Sequence, residues 1–189
     1  NILRNFWSCP CSNDDGIECD PQLFKCRLVN GSSQLNIDAG LKDALMMANE
    51  AGGINGKKIK LYQFEYGYHI PEALTKYNLF KRLKCAAILG WGTGDTEALA
   101  PTVAKDKIPY VSASYSGHLC DPEKTPYNLF FSTDYSTQYR GLITSWFDKK
   151  WPTNPDYGKR KPRIAMCYMF ASPFSSSSIK AAKDQATIL

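Results

Sequence analysis

The sequence predicts an α/β fold built on a parallel sheet, and three observations carry that prediction. Strand-like apolar runs alternate with amphipathic helical patterns at intervals that call for βαβ crossovers. The stretch from Cys85 to Ser116 reads as one complete unit of strand, glycine turn, helix and strand. Small hydroxylated residues follow the ends of both its strands, where open parallel sheets bind ligands, because adjacent carboxyl-end loops form a crevice and helix N-termini aim free N–H groups into it.

Residues 2–7 (ILRNFW) form a short first strand in this reading. Residues 8–35 hold Cys9, Cys11, Cys19 and Cys26 and the polar run 30–34, and read as a long loop held by disulfides. A helix follows, with Ile37, Leu41, Ala44, Leu45 and Ala48 at helical spacing and Gly52 and Gly53 as its stop. Residues 58–64 alternate Ile59, Leu61 and Gln63 against Lys58, Lys60 and Tyr62, the period of a strand. Pro71 then opens a helix at a position where its missing N–H costs nothing, and Ala73, Leu74, Tyr77, Leu79, Phe80 and Leu83 supply its apolar face.

Residues 86–89 (AAIL) are apolar throughout, as a strand covered on both faces should be. Gly90, Gly92 and Gly94 let the backbone turn sharply and approach a ligand. The next helix carries Thr96, Leu99, Ala100 and Val103 on one face, and strand 108–112 returns parallel, so that its exit at 113–116 lies beside the glycine turn. After a loop with His118 and Cys120, residues 128–132 (NLFFS) form another strand. Tyr135, Tyr139, Leu142, Ile143, Trp146 and Phe147 mark an amphipathic helix whose aromatics are assigned to the core rather than to base stacking. Residues 152–162 are a loop, 163–169 (RIAMCYM) a buried strand and 175–188 a helix. One strand and one helix cannot bury both their faces, so more protein is expected beyond Leu189. The predicted organisation is a cysteine-rich strand and loop at 1–35, an α/β lobe at 36–132, and a crossover with the beginning of a second lobe at 133–189.

Composition narrows the function. With 189 residues, 43% hydrophobic and 13% aromatic, the chain can bury a core and is not disordered. Its net charge of +5 is modest, and only Lys159, Arg160, Lys161 and Arg163 cluster, in a loop bounded by Pro and Gly. That is a solvated loop, without the basic stripe and interleaved aromatics of a nucleic-acid partner. No apolar run reaches the roughly eighteen residues of a membrane span, and the start at Asn1 reads as a processed or trimmed chain. Seven cysteines, four of them among the first 26 residues, point to an oxidising compartment. Cys9 and Cys11 each reach Cys19 or Cys26, in an order the sequence leaves open. A four-thiolate metal site would show paired C-x-x-C knuckles, which are not there. Cys167 is read as a reduced core thiol, with Cys85 and Cys120 either paired or free.

Nothing favours an enzyme. Gly90, Gly92 and Gly94 do not give G-x-G-x-x-G, because Asp95 stands where the third glycine should fall. His69 and His118 are the only histidines, and no G-x-S-x-G supports a serine nucleophile. No cofactor, metal or catalytic residue is predicted.

The segments GLKDALMMANEAGGINGKKIKLYQFEYG and ILGWGTGDTEALAPTVAKDKIPYVSAS resemble the type I periplasmic solute-binding proteins of branched-chain amino acid and related amide ABC transporters. Residues 49–59 and 100–112 are the specific parts, NLFFSTDYSTQYRG and RIAMCYMFASPF continue the likeness, and it covers roughly residue 36 onward. The resemblance implies a three-layer parallel-sheet lobe of a two-lobed type I fold, with the second lobe incomplete. It also implies a periplasmic or extracellular location, a small polar solute such as an amino acid or amide as ligand, and a membrane ABC permease as partner. In that family the turns after the two strands hold the ligand, which places the ligand-binding positions at Gly92, Thr93, Gly94, Ser114 and Ser116, with an aromatic lid at Phe174. Two residues depart from it: Asp95 caps its helix but repels an anion nearby, and Phe174 lacks the hydroxyl of a tyrosine. The alternative function is an extracellular sensor or structural protein that reuses the fold, with its cysteine loop as a docking surface.

Overall fold

The computed structural model describes Leu23–Phe24, Arg27–Val29 and residues 35–189. Strand 2–7 and the pairings of Cys9, Cys11, Cys19 and Cys26 lie outside these residues.

The central sheet has five parallel strands in the order β4-β2-β5-β6-β7: β2 (Arg27–Val29), β4 (Gln63–Glu65), β5 (Ile88–Leu89), β6 (Tyr110–Val111) and β7 (Asn128–Leu129). A separate parallel pair joins β1 (Leu23–Phe24) to β3 (Lys58–Ile59). Helices α1 (Leu35–Glu50), α2 (Ile70–Arg82) and α3 (Thr93–Asp106) make the crossovers, followed by α4 (Tyr135–Lys149), the single turn α5 (Pro173–Ser176) and α6 (Ile179–Ile188). The α/β parallel class is the one expected.

Local chemistry explains the boundaries. Helix α1 stops where Gly52 and Gly53 take positive φ, and Asn49 then pairs with both backbone groups of Ile59, donating to its carbonyl at 2.8 Å and accepting its N–H at 2.6 Å. That bidentate bond fixes α1 against β3. The core lies where α2 and α3 cover the sheet: Tyr77 and Phe80 meet Leu99 and Val103 over Cys85, Ile88 and Tyr110. The face predicted for α3 is therefore the buried one.

Five expectations need correction. The loop 8–35 contains β1 and β2, and β2 sits between β4 and β5 inside the sheet. The single strand 58–64 is two strands that pair with different partners, because the chain leaves β3 and re-enters the main sheet at β4. Residues 163–169 form no strand and Cys167 is exposed, since this extended segment finds no ladder neighbour among the described residues. Cys85 is disulfide-bonded while Cys120 and Cys167 are free, which excludes a Cys85–Cys120 bridge and puts the partner of Cys85 outside the described residues. On α4 only Ile143 is fully buried; Leu142 and Tyr139 are exposed.

Candidate functional site

The sheet reverses its winding at β2: the chain moves from β2 to β4 on one side and then to β5 on the other. Crevices open at such switch points outside the carboxyl ends of the strands, and the turn after β5 leaves at this one. The turns after β5 and β6 meet there. Ser114 Oγ donates to Thr93 Oγ1 at 2.8 Å, a direct link between them. Ser112 Oγ donates to the Ser114 carbonyl at 2.9 Å, and Ser116 Oγ donates to Glu97 Oε1 at 2.7 Å. Thr93, Ser112, Ser114 and Ser116 are all buried, and their hydroxyls are engaged by one another, by the Ser114 carbonyl and by Glu97 rather than by open solvent.

The glycine turn is shaped by what lies against it. A Cβ on Gly92 would fall 2.1 Å from Asp95 Oδ1 and 2.4 Å from the Tyr68 ring, and one on Gly90 would meet the Tyr110 hydroxyl at 2.0 Å. Gly92 is the N-cap of α3, and Asp95 is its third helical residue, whose Oδ2 accepts the Gly92 N–H at 3.3 Å. Asp95 thus performs the returning half of a capping box rather than standing at the N-cap itself. The Thr93 N–H donates to the Tyr68 hydroxyl at 3.4 Å. Tyr68 reaches it from the segment after β4 with φ +59, a left-handed backbone uncommon for a tyrosine.

Beneath the turn, three buried polar atoms from three elements have no hydrogen-bond partner among the described residues: Tyr66 Oη, Asp95 Oδ1 and Tyr110 Oη. Burial pushes the Asp95 carboxyl up to about 6, held back by hydrogen bonds to the charged form. Burial, reinforced by the Asp95 charge, raises both the Tyr66 and Tyr110 phenols, which therefore stay neutral.

Phe174 lies at the same end of the sheet. Pro173 of α5 approaches Gly94, the Phe174 ring meets Tyr135 edge-on at 5.4 Å, and Tyr135 meets Tyr115 at 5.7 Å. Tyr115 also packs against Phe130 and Phe131, so an aromatic wall runs from β7 to α5 past the serine turn. The structure thus brings Gly92, Thr93, Gly94, Ser114, Ser116 and Phe174 into one neighbourhood. None of the six lines the polar groove of about 650 Å³ between Gly117–Leu119, α4 and α6, or the apolar groove of about 240 Å³ between α4, α6 and residues 164–168. Sequence reasoning missed Tyr66, Tyr68 and Tyr110. Tyr110 sits within a predicted strand, and Gly67 beside Tyr68 was the available signal for a sharp turn.

A family profile described as periplasmic binding protein matches residues 29–188. Among solved structures, the chain is similar to a branched-chain amino acid ABC transporter protein from Thermus thermophilus with bound valine, at 20% identity and TM-score 0.73, over 88% of this chain and 42% of that one. It is similar to an ABC transporter substrate-binding protein from Aeropyrum pernix at 29% identity and TM-score 0.70, covering 87% of this chain and 44% of that one. A third, from Desulfitobacterium hafniense in complex with Leu, gives 17% identity and TM-score 0.70 over 88% and 47%. The chain therefore spans less than half the length of these structures. A comparison with curated proteins finds no match.

Proposed function

The chain belongs to the periplasmic binding protein family, and from that premise we propose that it captures a small polar solute, an amino acid or amide-like molecule, in an interlobe cleft and delivers it to a membrane ABC permease from outside the cytoplasm. The observation that carries this reading is the junction of the β5 and β6 turns at the sheet's switch point, where the Thr93–Ser114 hydrogen bond ties the two lips together. Gly92, Thr93 and Gly94 present the α3 N-terminus, Ser114 and Ser116 bring hydroxyls, and Phe174 stands at the edge as an aromatic cover. In this reading residues 36–132 are the first lobe and 133–189 open the second. The solved relatives with valine and leucine bound support an amino acid as the first ligand to test. No helix among the described residues is long and apolar enough to cross a membrane. The protein binds without turnover.

One observation favours the sensor or structural alternative: the hydroxyls of Thr93, Ser114 and Ser116 are spent on internal bonds. Isothermal calorimetry of the full-length protein against amino acids, their amides and urea decides between the two. Micromolar or tighter binding of one of these supports solute capture; no heat from any of them overturns it.

A further inference from the structure

We infer that Asp95 sets the charge this crevice accepts, admitting a neutral hydrogen-bonding head group such as a primary amide and rejecting a carboxylate while Asp95 is ionised. The inference rests on the solute-binding reading and concerns the same site.

Three observations carry it. Asp95 is only 1% exposed, its Oδ1 has no partner in good hydrogen-bond geometry among the described residues, and that oxygen lies against Gly92, at the N-terminus of α3. An anion arriving there meets a second negative charge at close range in a poorly solvated setting.

Among the described residues, no cation faces that charge. Tyr66 and Tyr68 face Asp95 from the segment after β4, and Tyr110 faces it from β6; all three are neutral phenols. The α5 turn beside Gly94 carries no charged side chain, and Glu97 on α3 itself is taken by Ser116. On α2, Lys76 pairs with Glu72, and Lys81 pairs with Asp106 at the far end of α3. His118, on the turn Gly117–Leu119, is exposed.

The oxygen already at the Thr93 N–H is neutral as well. It is the phenol of Tyr68, 3.4 Å away, on a ring 43% exposed and a backbone of positive φ. An amide carbonyl can take over that hydrogen bond without adding charge. Because burial holds the Asp95 carboxyl up to about 6, the barrier to carboxylates stands at pH 8 and is lifted at pH 5.

Calorimetry of the full-length protein with L-leucine, whose carboxylate stays ionised from pH 5 to 8, and with uncharged 4-methylpentanamide tests this. Leucine affinity is expected to rise about tenfold or more from pH 8 to pH 5, the amide to change less than about twofold, and Asp95→Asn to flatten the leucine profile. Leucine binding that is independent of pH, or a slope that survives Asp95→Asn, overturns the role of Asp95 and leaves solute capture intact. No heat from either probe counts against both readings. Carboxyl carbon NMR of the unmutated protein gives a check that needs neither ligand nor variant: Asp95 should titrate near pH 6, and a midpoint in the ordinary carboxylate range overturns the inference.

Discussion

At the scale of single residues, the crevice combines groups of two kinds. The placing of Thr93, Ser114 and Ser116 beside the two strand exits was legible in the sequence, because these small hydroxylated residues come directly after the apolar strands. Tyr66, Tyr68 and Tyr110 were not, because their convergence on Asp95 is a product of strand order. Tyr68 lies 25 residues before the N–H it faces. Asp95 itself was visible as a helix-start carboxylate, but its burial was not, and burial changes its effect on stability. The unfolded carboxyl ionises near pH 4 and the folded one near 6, so between these values the folded state holds the extra proton and stability falls as pH rises. The loss is about 2–3 kcal/mol and is complete above pH 6. Urea unfolding at pH 4 and pH 7 should therefore show Asp95→Asn gaining about that much on the wild type between the two values. An unchanged difference would place the carboxylate in contact with water.

At the scale of elements, helices were legible and short strands were not. Periodicity over thirteen or more residues marked α1, α2, α3 and α4. The three residues of β2 sit beyond a cysteine cluster and carry too few positions for any period to show. Residues 58–64 alternate as one strand would, yet ladder partners, which sequence period does not encode, divide them. Helix ends are set by identifiable groups and can be tested singly. Lys107 closes α3 in the left-handed conformation, φ +58, where a Cβ is unfavourable. Lys107→Gly should raise stability by about 1 kcal/mol in denaturant unfolding. Asp134 caps α4 by accepting the Thr137 N–H at 3.1 Å and its hydroxyl at 2.6 Å. Asp134→Ala should cost about 1 kcal/mol, and Asp134→Asn distinctly less.

At the scale of the whole molecule, the two ends of the chain are packed very differently. Around β5 and β6 the sheet is covered by α2 and α3 and has ladder partners on both sides. Past α4, α6 packs on α4, with Gln185 donating to Thr144 at 2.9 Å, but residues 161–169 pair with no strand among the described residues. Tyr168 at 48%, Met169 at 69% and Phe170 at 89% exposure follow one another there, beside the apolar groove lined by Ile143, Ile164, Met166 and Ile179. Unpaired backbone next to consecutive exposed apolar side chains is a template for pairing with another chain. The solved relatives are more than twice as long as the matched part of this chain, which agrees with a second lobe that is only begun. The 189-residue chain produced alone should therefore bind a hydrophobic dye and associate as concentration rises, as read by light scattering coupled to size exclusion. Replacing Tyr168 and Phe170 with lysine should return it to a monomer without moving the Asp95 titration, because Asp95 is buried under the β5 turn and takes its surroundings from Tyr66, Tyr68 and Tyr110. A wild-type chain that stays monomeric and dye-free at about 100 µM, a concentration at which exposed unpaired edges ordinarily associate, would show that this face is covered by the chain itself.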